Sequence, residues 1–439
     1  MAILPNVNVP VPVRAALAVA LLAALTGGAQ AARIDYEVGV SVLRSDNIGL
    51  SATDEQSETV VSPQLRFSVE QEGSTFRLNG SGQLQFLDYL DDTFDDGFRG
   101  AFAGTALWTM IPERLDWTFE DYLSRQPIDT FTAFSPGNEQ QTNLFVTGPS
   151  LYFRMGQSTR GQVDLRYSNS YAEENEAFNS DRYNVAARAL RELSPTRTIG
   201  VNVEATEVRY DETPTSDYTR YDGYMSYWSE FRTVELNVDL GYSRLEFDNR
   251  PSNDEWLPLV RADVAWKMTQ RSTLDASLSY EFSDAAENLV VTDLDAPPAL
   301  DDFGNPTVPV TPDVFKQRRF ELGYSFTGER LNFEVRPYYQ RISYIESLAP
   351  DEESYGGYGQ LTYQVRPRMT LSVLAALEER KFQGPSRKDR DFTVGVALEN
   401  RFTRNWSARF ELQRRERDSS EIGQDYDENA AIVSFSYRR

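Results

Sequence analysis

The chain has 439 residues, no cysteine, no histidine and a formal charge of −23, from 67 acidic against 44 basic side chains. This composition excludes disulfides, thiolate metal sites and a cysteine nucleophile, and removes the side chain most often used as general base or metal ligand. The acidic balance argues against nucleic acid as a partner, and 12% aromatic residues argue against disorder.

The N-terminus reads as an address. Arg14 precedes the apolar run Ala15 to Leu25, and Ala29-Gln30-Ala31 matches a small-residue cleavage site. Eleven apolar residues are too few to span a bilayer. Residues 1–31 are therefore expected to be a cleaved signal peptide, and with no Cys to acylate the chain is not a lipoprotein.

From Arg33 onward the pattern has period two. Ile34, Tyr36, Val38, Val40 and Val42 alternate with Asp35, Glu37, Gly39 and Ser41. The same alternation recurs in Pro63-Leu65-Phe67-Val69, Val234-Leu236-Val238-Leu240-Tyr242, Leu274-Ala276-Leu278-Tyr280-Phe282 and Phe392-Val394-Val396-Leu398. Each run is about 10–14 residues, enough for a tilted strand to cross a membrane. Short connections (71–75, 111–114, 156–159, 194–197, 270–272, 328–330, 366–368, 404–405) alternate with long ones (44–58, 88–97, 125–139, 173–181, 211–219, 247–255, 284–315, 345–354, 383–390, 418–428). Charge follows the same division. The segment Asp88–Gly97 has five Asp and no base, and 284–315 has seven acids and no base. The short turns instead carry Arg114, Arg160, Arg197, Arg232, Arg271, Arg330, Arg368 and Arg404. Aromatics gather near the strand ends. Trp108, Trp117, Trp228, Phe231, Trp266, Phe402 and Trp406 lie beside short turns, and Tyr210, Tyr221, Trp256, Tyr344 and Tyr355 beside long ones. These read as two interfacial girdles.

The pattern predicts an all-β fold over residues 32–439: a single transmembrane antiparallel up-and-down β-barrel of about 20 strands, with 18 as the alternative, in a bacterial outer membrane. Hydrocarbon offers no hydrogen-bond partners, so the sheet must close on itself. The phase opposite the apolar one should line a wet interior. Its candidate lumen-lining residues are Arg66, Arg77, Gln83, Arg166, Asp239, Glu281, Arg319, Glu321, Arg336, Glu399, Arg401, Arg409 and Glu411. The long segment 284–315, rich in Pro, reads either as an outer loop or as an inward constriction. No catalytic, cofactor or metal site is read. Gly80-x-Gly82 and Gly356-Gly357-x-Gly359 sit within strands and not in a phosphate-binding loop. Without His no enzymatic activity is expected.

Tyr36-Glu37-Val38-Gly39-Val40 followed by Arg44-Ser45-Asp46-Asn47-Ile48, and later Thr147-Gly148-Pro149 before Leu151-Tyr152-Phe153, resemble segments of the putative β-barrel porin 2 family. The resemblance implies an outer-membrane barrel, often encoded near exopolysaccharide or capsule genes, and brings no catalytic residues. The chain ends in alternating aromatics, Phe435 and Tyr437, similar to the strand signal read by the outer-membrane assembly machinery. The expected function is a pore for hydrophilic solutes, with surface polysaccharide export as a specific form. The alternative is a surface structural or binding barrel working through its acidic loops. Expected partners are outer-membrane lipid and lipopolysaccharide, the assembly machinery and polysaccharide export components, with no cofactor.

Overall fold

The computed structural model describes residues 32–249, 254–289, 310–345, 349–384 and 386–439. The expected signal peptide, residues 1–31, lies outside them. The described residues form twenty strands: β1 (Arg33–Ser45), β2 (Glu58–Glu72), β3 (Phe76–Tyr89), β4 (Gly97–Ile111), β5 (Leu115–Gln126), β6 (Gln140–Arg154), β7 (Thr159–Ala172), β8 (Ser180–Ser194), β9 (Arg197–Tyr210), β10 (Tyr218–Glu230), β11 (Val234–Phe247), β12 (Glu255–Lys267), β13 (Ser272–Ser283), β14 (Phe315–Thr327), β15 (Leu331–Tyr344), β16 (Glu352–Arg366), β17 (Met369–Phe382), β18 (Lys388–Arg401), β19 (Trp406–Ser419) and β20 (Tyr426–Arg438). Each strand pairs antiparallel with its neighbours in sequence, and β1 pairs with β20 as well as with β2. The sheet is therefore a closed barrel, as the alternation requires, and twenty strands is the count that holds.

The seam is tied along its length. Val40 faces Phe435 and Ser41 faces Ser434 in register. Backbone bonds between Tyr36 and Arg439 fasten one end of it. At the other end Ser45 Oγ donates to Glu428 Oε1 at 2.6 Å, across 383 residues of sequence. Nine turns of two to four residues join strands at one end of the barrel, the end where β1 starts and β20 finishes, and ten longer connections lie at the other. The ninth turn, residues 231–233, holds the Arg232 already counted among the turn arginines.

Period-two alternation works because successive side chains in a strand point to opposite faces. Ile34, Val38, Leu240, Val335 and Phe410 stand exposed on the outside. Their partners in register are apolar too, as in Val38 with Leu65 and Phe410 with Leu398 and Val433. A continuous apolar exterior on a barrel without free edges is the surface that lipid, and not water, would surround. Exposed Trp108, Trp266, Trp406 and Phe402 band the short-turn end, and Tyr221, Tyr242, Trp256 and Tyr355 the long-loop end.

Three aromatics read as girdle members face the other way. Trp228 is in register with Asn237, Tyr210 with Ser180, and Tyr344 with the fully buried Phe315, all on the inner face. Nearness to a turn fixes depth along the barrel axis, but only register fixes the face.

Candidate solute pathway and inward loops

The inner wall towards the short turns is polar and carries charge in compact pairs. Arg66 on β2 donates Nε to Gln83 Oε1 at 3.2 Å and lies 3.9 Å from Glu37. Together with Gln64, Glu399, Arg401, Arg409 and Glu411 these residues line a cavity of about 490 Å³ inside the β1–β3 and β16–β20 wall. Arg409 pairs with Glu411 at 2.7 Å and Arg401 with Glu399 at 3.1 Å, each two residues apart on one face. Arg166 donates to Ser150 Oγ at 2.7 Å and approaches Asp164 at 3.6 Å. Asp164 is also bound by Arg188, which reaches Glu204 at 3.0 Å.

A second network spans β12–β15. Arg336 meets Glu334 at 2.6 Å, Asp275 at 2.8 Å and Glu321 at 3.0 Å. Glu321 also pairs with Arg319 at 2.8 Å, and Arg319 donates to Gln340 at 2.9 Å. Glu281 pairs with Arg261 at 2.5 Å. Asp239 stands in register with that Arg261 on β12. Arg77 is exposed near the short turns, opposite Glu72. The thirteen candidates thus share the face opposite the exposed apolar residues, and they gather in three sectors and not one ring.

Towards the long loops the inner wall becomes apolar, which alternation alone did not suggest. Leu43 packs with Val60 and Tyr89, while Val208, Tyr210, Tyr218, Leu245 and Leu257 pack with Phe282, Val314 and Ile345. The described parts of two loops fold inside the ring of strands and pack on this dry collar. After β13, Ala285, Ala286 and Leu289, with Val310 on the returning arm, join Ala103, Tyr122, Leu144 and Ala172 of the β4–β7 wall and Phe178 of the β7–β8 connection. That wall lies six to nine strands away around the ring. The middle of this loop, residues 290–309, is outside the described residues.

Charge clasps the stem. Fully buried Asp284 accepts from Arg182 Nη1 at 2.6 Å and from the Tyr218 hydroxyl, while Arg220 holds the Phe282 carbonyl at 3.1 Å and Glu287 at 2.7 Å. The β5–β6 connection reaches in as well. Buried Arg380 and Arg387, on and beside β17, donate to the carbonyls of Thr130 and Phe131, and the Phe131 ring sits 5.0 Å from Phe382. Asn175 ties the two loops together, donating to Ile128 O at 3.0 Å and Val310 O at 3.3 Å.

The clasp should respond to acid. Burial raises the Glu287 carboxyl above its ordinary value, against the pull of Arg220. Burial acts on Asp284 too, but Arg182 and the Tyr218 hydroxyl outweigh it and hold that group below the usual carboxylate range. A depressed carboxyl stabilises the folded form above its unfolded pKa, and this is lost as pH falls through the folded value. The Glu287 contact should therefore loosen first and the Asp284 contact last, below about pH 4. Conductance traces over a pH series check this. A final rise that persists unchanged in Asp284→Asn would refute it.

With the geometry in hand, one family model fits part of the chain. Residues 354–439 match the family described as Putative beta-barrel porin 2. The match covers most of β16 and all of β17–β20, including the seam strand, and the resemblance read from residues 36–48 and 147–153 lies outside it. Similar solved structures include the apoprotein form of the FrpB iron transporter from Neisseria meningitidis (10% identity, TM-score 0.48, 95% of this chain and 82% of that one). Others are the siderophore receptor PirA (13% identity, TM-score 0.43, 93% and 80%) and OccK2 (OpdF) (13%, 0.42, 93% and 98%), both from Pseudomonas aeruginosa. No curated protein sequence matches the chain.

The resemblance motif Thr147-Gly148-Pro149 has a structural reason. Gly148 has φ +156, and a Cβ there would lie 1.9 Å from the Leu165 carbonyl oxygen. Residues 148 and 149 drop out of the β6–β7 pairing, and Arg166 Nη1 takes the freed Pro149 carbonyl at 2.9 Å. Reading the sequence missed the residues that hold the loops: Arg182 and Arg220 against Asp284 and Glu287, and Arg380 and Arg387 against the Thr130 and Phe131 carbonyls. Their one visible signal was a basic residue at the loop end of an inward phase.

Proposed function

We propose that the protein is a pore for hydrophilic solutes in a bacterial outer membrane, with a passage narrowed on the loop side by its own inward segments. The observation that carries this reading is the barrel's two-sidedness: an apolar exterior around a closed ring whose interior is lined by paired charges and amides. Barrels of 16–18 strands already leave an aqueous channel, so twenty leave at least as much room before loops are counted. The thirteen inward candidates are the proposed wall of the path. Their charges are largely neutralised in place, which suits an uncharged or bulky polar chain, such as a surface polysaccharide, better than a selected ion. Inward Trp228 and Tyr338 add flat surfaces on which sugar rings can stack. The competing reading, a barrel that binds through free outer loops, is disfavoured by the inward course of the β5–β6 connection and of the described ends of the β13–β14 connection.

Single-channel recording in planar bilayers, paired with flux of neutral oligosaccharides into liposomes, tests the proposal. A folded barrel that passes neither ions nor sugars, even with its inward loops removed, ends it. A sharper expectation concerns Arg336. Its replacement by Ala leaves Asp275, Glu321 and Glu334 without their shared cation. The cation-to-anion permeability ratio should rise about two-fold or more, read as a reversal-potential shift in a salt gradient.

A further inference from the structure

The long loops are acidic, yet the outer surface just below them is basic along β14–β18. Lys316 and Arg318 on β14 and Arg341 on β15 point outward, in the phase of exposed Phe320 and Val335. With Tyr280 and Ser343 they line a shallow cleft of about 150 Å³. Arg318 and Arg341 are directly opposite in register, a like-charge pairing that is unfavourable on an empty sheet face. Lys316 has a partner, Glu255 at 2.9 Å. Among the described residues, no carboxylate lies within ion-pair distance of Arg318 or Arg341.

Arg318 instead stacks 4.6 Å from the Tyr280 ring centre and donates to its hydroxyl at 3.3 Å. The nearest acid by register, Glu353 opposite Arg341, accepts from the hydroxyls of Tyr339 at 3.1 Å and Tyr355 at 2.8 Å. Further round, the single carboxylate of Glu379 collects Lys381, Lys388 and Arg390 at 3.0–3.4 Å. In a chain of charge −23, this is a local surplus of cations. It sits between the exposed apolar band and the long loops, the depth at which the membrane location proposed above puts lipid head groups.

We propose that the Arg318–Arg341 cleft binds a phosphate group of the outer-leaflet lipid, the phosphorylated glycolipid of a bacterial outer membrane. Two planar guanidinium forks brought side by side present the donors that phosphate oxygens accept. The anion would relieve the repulsion between them, while Phe320 and the neighbouring apolar face meet acyl chains. The inference rests on the membrane location proposed above but not on conduction, so a barrel that passes no solute could still hold the lipid.

The test uses the purified full-length barrel in detergent, with rough lipopolysaccharide and its dephosphorylated form as probes. Folding is read by heat-modifiable gel migration. Arg318→Gln with Arg341→Gln should weaken binding of the phosphorylated form about tenfold or more, since each basic side chain near a charged lipid surface contributes measurably. The control Arg209→Gln, an outward arginine already paired with Glu207, should leave binding unchanged. Should the double variant fail to fold, Arg341→Lys keeps the charge, loses the fork and should still bind more weakly than the parent. Equal affinity of parent and variants overturns the proposal. So does equal binding of the dephosphorylated lipid, or displacement by millimolar inorganic phosphate, which would assign a free-anion site.

Discussion

Replacing Asp284 by Ala should raise single-channel conductance several-fold. Arg182 is almost fully buried and its ion pair is with Asp284. Removing one member of such a pair leaves an uncompensated charge, at a cost of about 3–5 kcal/mol. The cheapest relief is for the loop stem to leave the wall, which lets water reach the guanidinium and withdraws Ala285, Ala286 and Leu289 from the β4–β7 surface. The interior then opens on the loop side, where the stem packs across it. Replacing both partners, Arg182→Met with Asp284→Ala, should have a smaller effect than Asp284→Ala alone, because no orphaned charge remains. Identical conductance in the parent and in a folded Asp284→Ala barrel would show that the stem does not limit flow.

Gly148→Val should prevent the barrel from forming. The blocking atom is a backbone oxygen on β7, the Leu165 carbonyl at 1.9 Å from the added Cβ, so no side-chain rotation relieves it. The φ of +156 is also one that a β-branched residue resists. Shifting β6 from β7 would break the ladder on both sides of the kink, and the expected loss is about 4 kcal/mol or more. Loss of the heat-modifiable folded band after refolding in detergent reads this out. Gly384→Ala is the contrast: nothing lies within 4 Å of its Cβ position, although its φ is also positive, and that barrel should still fold.

Strand number, turn positions and the inward phase were legible because each follows from the local rule that alternate side chains face alternate media. Arg66, Arg319 and Arg409 could be placed on the inner face from their neighbours alone. What could not be read depends on residues far apart in sequence. The Arg182–Asp284 bond joins residues 102 positions apart, and the Arg387–Phe131 bond 256. Neither the dry collar nor the crossing loops leave a periodic trace, since Leu43, Val60 and Tyr122 occupy inward positions that look like lapses in an otherwise polar phase. Trp228 and Tyr344 were misassigned for a different reason: nearness to a turn gives depth along the barrel, while the facing phase of their own strands, shared with buried Ser226 and Ile342, points inward.

The Ser45–Glu428 tie has a bearing on how the molecule is made. Because the first strand completes its hydrogen bonds only with the last, eighteen intervening strands must be delivered before either edge is satisfied. Every nascent form short of that carries two raw borders, ready to zip onto any other exposed strand, including that of a sibling chain. Biogenesis is thereby all-or-nothing, and the cell must shield a half-built cylinder until its two ends meet.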